Sequence, residues 1–230
     1  MTDKGKTAAA LFEAIRKGDD AAVDAALAAR PALLEARDDN GLSPVLVAAY
    51  AGRRKMAERI ASLEIGTDKG LDFFDAAAIG SVAACRKMIE DGRASVDDRG
   101  PDGYTALHFA AAFGQLEIAR LLLGRGADPN LAAQNEARAT PLHVAVAARH
   151  RDVASLLMAL GGSPNAVQHD GWTPLHSAAL AGDESIIDLL LLRGADPSRA
   201  ASDGKTAIDL ADENGHSALA NVMRKAASRR

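Results

Sequence analysis

Six histidines and one cysteine are the side chains of this chain best equipped for metal binding, proton transfer or nucleophilic attack. His108, His143 and His176 each stand fourth in a Thr-x-x-His element, 35 and 33 residues apart. Shared metal ligation would need them about 2 Å from one ion. Acid–base work would need them within hydrogen-bond reach of one substrate. His150, His169 and His216 are isolated and read as solvated. Cys85 falls with Val82, Met88 and Ile89 at helical spacing, which makes it an inert buried thiol rather than a nucleophile. Ser43 and Ser177 have no nucleophile-elbow sequence around them. The pairs Asp38-Asp39 and Asp97-Asp98 sit in turn-like sequence, where Asp is favoured for backbone reasons. The glycines of GRGADPN close a helix rather than open one, so they cradle no phosphate.

Whether the histidines converge depends on the elements that carry them, and those elements recur. DGYTALHFAAAFGQLEIARLLLGRGADPN starts at Asp102, RATPLHVAVAARHRDVASLLMALGGSPN at Arg138, DGWTPLHSAALAGDESIIDLLLLRGADPS at Asp170 and DGKTAIDLADENGHSALANVMRK at Asp203. Thr105, Thr140, Thr173 and Thr206 are 35, 33 and 33 residues apart. Weaker copies begin at Leu11, Asn40 and Leu71. In the copy from Asp170, Asp170-Gly171 suits a tight turn, Thr173 can cap a helix and Pro174 suits its first position. Ala178 and Ala179 allow close approach, and Gly182 ends the helix. Ile186, Ile187, Leu190 and Leu191 form the apolar face of a second helix, stopped by Gly194 and Pro197. One such helix pair cannot bury its own apolar faces, so the pairs must stack. Stacking puts the three histidines one layer apart, roughly 10 Å by helix-packing distances, which is too far to share a metal ion.

The run T-P-L-H, Ala-rich helix, Gly, Leu-rich helix, G-A-D-P-N is similar to the ankyrin repeat. The likeness covers essentially the whole chain. It is strong in the four copies from residue 102, clear at 40–66 and degenerate in the first and third copies. The arrangement also resembles bacterial ankyrin proteins that stand alone. The resemblance implies an all-α ankyrin-repeat solenoid of about seven stacked helix–turn–helix repeats with short projecting β-turn fingers. One domain over 1–230 then divides into an N-terminal cap (1–38), repeats at 39–70, 71–100, 101–135, 136–168 and 169–201, and a C-terminal cap (202–230). The histidines would hydrogen-bond within the turn and helix start. Departures from the pattern carry expectations too. Ala49 to Ala77 spans 28 residues against 34 for the flanking copies, so EIGTDKGL (64–71) should form a shortened finger with a local change in stacking. Arg149 replaces the glycine found at Gly114, Gly182 and Gly215; a left-handed backbone there would cost about 1 kcal/mol. Asp212, Glu213 and Asn214 suit an end that faces water.

The same resemblance faces the residue before Thr toward the concave side, where Tyr104 and Trp172 stand with Ala139 between them. The residue pairs before the helix-ending Gly, among them Tyr50-Ala51, Ala78-Ile79, Ala112-Phe113 and Leu180-Ala181, would line that side. Ile79, Phe113 and Leu180 either line the groove or tuck between repeats. The expected anchors are Tyr50, Tyr104, Phe113, Trp172 and Leu180, with Arg138, Arg149 and His169 tuning specificity at the rim. The function that follows is a non-catalytic protein–protein interaction scaffold, binding a partner protein across its concave groove and finger loops. The alternatives are a small-molecule-binding or enzymatic role on the same scaffold, and self-association. No catalytic, cofactor or metal residue is assigned, and no cofactor is expected. Aromatic residues are 3% and hydrophobic residues 48%, so alanine and leucine build the core. A net charge of −4 argues against nucleic acid as partner, and the basic tail RKAASRR reads as a frayed end. A lone cysteine excludes an intrachain disulfide. With no signal-peptide run and no membrane-length apolar stretch, the expectation is a cytoplasmic monomer off the membrane.

Overall fold

The computed structural model describes residues 3–65 and 70–229. Among the described residues lie fourteen α-helices, two 3-10 turns and no strand. Extended backbone pairs only as isolated bridges, Arg99 with Thr105 and Ala200 with Thr206. The all-α expectation is borne out. The shortened finger expected over 64–71 depends on residues 66–69, which lie outside the described residues. No helix among the described residues is long and apolar enough to cross a membrane.

The chain divides into two compact units, Met1–Ala106 and Leu107–Arg230. The first carries α1 (Asp3–Lys17), α2 (Asp20–Ala29), α3 (Pro44–Tyr50), α4 (Arg54–Ile65), α5 (Phe73–Ile79) and α6 (Val82–Glu90). There α3 packs against α1, α4 and α5. Phe12, Ile15, Val45, Ile60 and Cys85 are sealed in its core. Burial pushes the Cys85 thiol up to about 12, which leaves it an inert packing group. Helix α7 (Ala106–Ala112) starts at the division, and α8 (Leu116–Gly124), α9 (Pro141–Ala147), α10 (Arg151–Ala159), α11 (Pro174–Leu180), α12 (Glu184–Leu192), α13 (Ala207–Glu213) and α14 (Ser217–Ala227) follow. In the second unit α9, α11 and α13 pack in an inner row, and α8, α10, α12 and α14 in an outer one.

Helices α3, α5, α9, α11 and α13 are seven residues each, well below the roughly 12 residues at which an isolated helix becomes marginal. Their ends explain why they form. Thr140, Thr173 and Thr206 each close a capping box, with Pro141 and Pro174 at the first helical turn. Ser43 caps α3, and Asp72 caps α5. Alanines such as Ala76, Ala77, Ala178 and Ala179 are at most 1% exposed, so neighbouring helices approach closely without a bulky side chain between them. In the copy from Asp203, Glu213 pairs with Lys205 and Asp212 with Arg224, both on partly exposed side chains.

The fingers of the second unit are stitched to one another by backbone and amide groups. Asn130 donates to the Gly161 carbonyl (2.8 Å) and accepts from Ser163 N (2.8 Å). Asn165 repeats this with the Gly194 carbonyl (2.9 Å) and Asp196 N (2.7 Å). His169 N donates to Ala137 O, and Ser202 N to Asp170 O.

Two of the histidines expected to be solvated are instead packing groups. His150 and His216 are half-buried. His150 Nε2 donates to the Ala112 carbonyl (3.1 Å), and its ring lies where a Cβ on Gly114 would sit, 2.7 Å away. The His216 ring comes within 2.5 Å of a Cβ built on Gly182. The sequence hides this because each ring covers a bare backbone more than thirty residues earlier. Arg149 does adopt the left-handed backbone, with φ 60°. The residue next in register is Asp183, whose short carboxylate is held by Ile186 N (3.1 Å), in place of an imidazole.

Gly182 (φ 62°) and Gly215 (φ 81°) share a left-handed backbone, but only Gly182 is covered; a Cβ on Gly215 meets nothing within 4 Å. Gly215→Ala should therefore cost about 1 kcal/mol of backbone strain, and Gly182→Ala distinctly more. Adding His216→Ala to Gly182→Ala should recover part of the difference. Urea unfolding of the three variants checks this; equal losses for the two glycines would refute the covering role of His216.

Candidate functional site

In the second unit the histidines and the fingers form one system. His108 Nε2 bonds the Ala139 carbonyl (3.0 Å), His143 Nε2 the Trp172 carbonyl (3.1 Å) and His176 Nε2 the Lys205 carbonyl (3.3 Å). A carbonyl only accepts, so Nε2 carries the proton and Nδ1 is left as an acceptor. Nδ1 of His143 then takes the Thr140 hydroxyl (2.8 Å), and Nδ1 of His176 the Thr173 hydroxyl (2.8 Å). Burial holds His143 down to about 4 and lowers His176 as well, so both rings stay neutral. Each of these two imidazoles ties its own helix start to the next finger, with both nitrogens used.

That next finger is where Trp172 stands. Its approach is a sharp reversal through Asp170 (φ 62°) and Gly171 (φ 75°). Its carbonyl accepts from Gln168 N (2.9 Å) as well as from His143. The indole is half-buried and tilted 32° against the His176 ring, 5.9 Å between centres. Leu180, last in α11, keeps 42% of its surface exposed. Arg149 is exposed and reaches the Ala181 carbonyl (3.0 Å), so it meets the turn beside Leu180. Phe113 is half-buried. Arg138 is exposed at a finger tip with φ 49°, and His169 is exposed beside Asp170 (3.1 Å). Trp172 with His176, and Arg149 with the Leu180 turn, are thus brought into contact.

In the first unit, Tyr50 and Tyr104 meet through a residue that the sequence did not single out as a site. Asp102 accepts from the Tyr50 hydroxyl (3.0 Å) on one oxygen and from Tyr104 N (3.1 Å) on the other. Tyr50 keeps 45% exposure, while Tyr104 is half-buried. Burial, and the Asp102 carboxylate beside it, raise the Tyr50 phenol well above its usual range, so it stays protonated and donates to Asp102.

A single-copy ankyrin-repeat model matches residues 102–134, and a model of three ankyrin-repeat copies matches residues 142–228. The chain is an ankyrin-repeat protein. The matched segments are a little over half of its length and coincide with the strong copies from residue 102. Ankyrin repeats are generally protein–protein interaction modules. Three further helix pairs precede residue 102 in the first unit.

Helix α5 carries an anomaly. Asp75 stands third after its capping residue Asp72, as His143 and His176 stand third after Thr140 and Thr173, although the 34-residue register of Ala77 with Ala111 sets Asp75 against Phe109. It is 1% exposed, and nearby Glu64 is 7% exposed. Asp75 Oδ1 accepts from the Ser43 hydroxyl (2.5 Å), while Oδ2 is buried with no hydrogen-bond partner. Burial, then the charge of Asp72, raises Asp75 to about 7, against a smaller opposing pull from Ser43 and Arg37. Burial, then Asp75, raises Glu64 to about 8, with Arg37 opposing. The signal was present in the sequence as an acid in a histidine's position, but its burial was not.

Both acids hold protons more tightly folded than unfolded. Their contribution to stability is therefore complete below about pH 4 and is lost as pH rises through about 7 to 8. The melting temperature of the wild type should fall between about pH 5 and pH 8.5, and Asp75→Asn should flatten that fall. Melts across this range check it; an unchanged slope in the variant would show that Asp75 ionises freely in the folded state.

Proposed function

We propose that this ankyrin-repeat protein is a non-catalytic scaffold that binds a partner protein, with the Trp172–Leu180–Arg149 surface of the second unit as its principal contact. The observation that carries the reading is the double use of Trp172. Its backbone is fixed by Gln168 and His143, while its half-exposed indole rests on the neutral His176 ring. An aromatic side chain held this way loses little freedom on binding, which favours it as an anchor. Exposed Leu180 supplies apolar area, and the Arg149 guanidinium, already steered by the Ala181 carbonyl, supplies a directional donor. Arg138 and His169 tune specificity at the finger tips, and Phe113 adds apolar area at the end of α7. Tyr50 and Tyr104, joined by Asp102, offer a second contact on the first unit.

The partner is a protein rather than a nucleic acid or a membrane, which the net charge of −4 supports. The chain acts as a cytoplasmic monomer with no catalytic role. The two histidines bound at both nitrogens, His143 and His176, support that reading, since neither has a nitrogen left for proton transfer.

Trp172 is the only tryptophan, so its fluorescence reports directly on this surface. Affinity capture with wild type identifies the partner, and titration of that partner should shift the emission. Trp172→Ala and Leu180→Ala should each weaken binding by about 2 kcal/mol or more with the helical circular dichroism unchanged. A captured partner that binds both variants as tightly as wild type would refute the anchor assignment.

A further inference from the structure

Two backbone positions of the repeat turn left-handed: the residue two before the capping threonine, and the second residue after the helix it caps. Glycine fills both in the copies from Asp102, Asp170 and Asp203. The first position is Gly103 (φ 80°), Gly171 (φ 75°) and Gly204 (φ 83°), and the second is Gly114 (φ 67°), Gly182 (φ 62°) and Gly215 (φ 81°). In the copy from Arg138, arginine fills both, as Arg138 (φ 49°) and Arg149 (φ 60°). A residue with a Cβ is strained in that backbone, and this one copy accepts the strain twice. Glycine makes the same turns in the other three copies, so the arginines bring something besides the turn. Strain retained in this way is a mark of functional positions.

What the exchange adds is charge. Both side chains are exposed, and neither has an ion-pair partner among the described residues. Arg149 donates to the Ala181 carbonyl (3.0 Å), which steers the guanidinium and leaves its charge unanswered. Two acids of the next copy are engaged elsewhere, Asp170 beside His169 (3.1 Å) and Asp183 by Ile186 N (3.1 Å). Glu136 shares the finger of Arg138 and is exposed without pairing with it. The same copy is built small where its neighbours are large. Ala139 stands in the place of Trp172, and Ala147 in that of Leu180. The chain as a whole carries −4, so any attraction for an anion here is local to this copy.

We propose that the partner protein is acidic where it crosses this copy, with Arg138 and Arg149 pairing with its carboxylates while Trp172 and Leu180 take its apolar side chains. This rests on the scaffold reading above and adds the chemistry of the partner. The planar guanidinium donates in a fork that matches a carboxylate, and the two groups stand unpaired until one arrives. Charge pairing of this kind sets which partner is accepted and in what register.

Selection of a random-peptide display library on the full chain, with depletion on the double variant Arg138→Gly/Arg149→Gly, tests this. Glycine is the residue the other copies carry, so the variant keeps the turns and loses only the charges. The peptides recovered should be enriched in Asp and Glu over the input and should bind more weakly as salt is added. Synthesised singly, they should shift Trp172 emission and bind each single glycine variant about tenfold more weakly than wild type. The glycine variants should unfold at higher urea than wild type, because the strain is gone. Peptides that shift the emission without acid enrichment, or that bind the glycine variants as tightly as wild type, would overturn the acidic partner and leave the scaffold reading standing. Acid-rich peptides that need the arginines but bind Trp172→Ala normally would support it and count against the Trp172 anchor. A library that yields no binder overturns both. Overturning results also include a lower urea midpoint in the glycine variants, which would assign the arginines to folding, and a random single-stranded oligonucleotide that binds as tightly as the peptides through the same two arginines.

Discussion

A seven-residue helix cannot hold itself together, and α3, α5, α7, α9, α11 and α13 are all that short. In α7, α9 and α11 the bond that resolves this is the imidazole bridge from one helix start to the carbonyl of the next finger. At His143 and His176 it fills the hydroxyl–imidazole–carbonyl series completely, so no buried polar atom of the bridge is left over. Each bridge does two things at once. It caps a helix too short to survive uncapped, and it fixes the finger that begins the next layer. The neutral state of the ring is part of the same arrangement, since a second ring proton would face the Thr hydroxyl and backbone N–H, where an acceptor is needed.

The exceptions are informative: three of the six seven-residue helices carry no histidine there, α3 having Leu46, α5 Asp75 and α13 Asp209. Asp209 replaces the histidine in the copy from Asp203 and still closes its capping box with Thr206, on an exposed side chain. Asp75 makes the same replacement in the interior, with a different consequence. Its Ser43 contact reaches back to the preceding copy, and its other oxygen is stranded. A carboxylate has no donor to offer a carbonyl unless it keeps its proton. The raised affinity of Asp75 for its proton is what that replacement demands of a buried acid. The Gly-to-Arg exchange at Arg149 follows a similar logic. The left-handed strain is accepted where the next layer presents Asp183, and glycine is retained where the next layer presents His150 or His216.

The period of the threonines, the prolines beside them and the alternation of Ala-rich and Leu-rich runs made the helix pairs legible from sequence alone. Local chemistry sufficed there, because a cap and its helix lie within four residues of each other. The contacts that stayed hidden are those between layers. Asp102 meets Tyr50 across 52 residues, and His150 reaches Ala112 across 38. Nothing near His150 in the chain distinguishes a ring on water from a ring on bare backbone. Asp75 lies between these cases. Counting from the cap Asp72 sets it in the histidine's place, but only its surroundings make it a buried acid.

Trp172 illustrates how such a fold fixes a backbone while its side chain stays free to vary. In the finger its backbone carbonyl is required by His143 and Gln168, whatever side chain the residue carries. Ala139 meets the equivalent demand from His108 with a methyl group, and Lys205 meets that of His176 with an ammonium that pairs with Glu213. Three unlike side chains thus satisfy one backbone requirement. The bridge constrains the main chain and leaves the side chain open to variation, from the buried methyl of Ala139 to the half-buried indole of Trp172. A tryptophan there is the most consequential choice of the three, since it offers the largest apolar face on a backbone already immobilised from both sides.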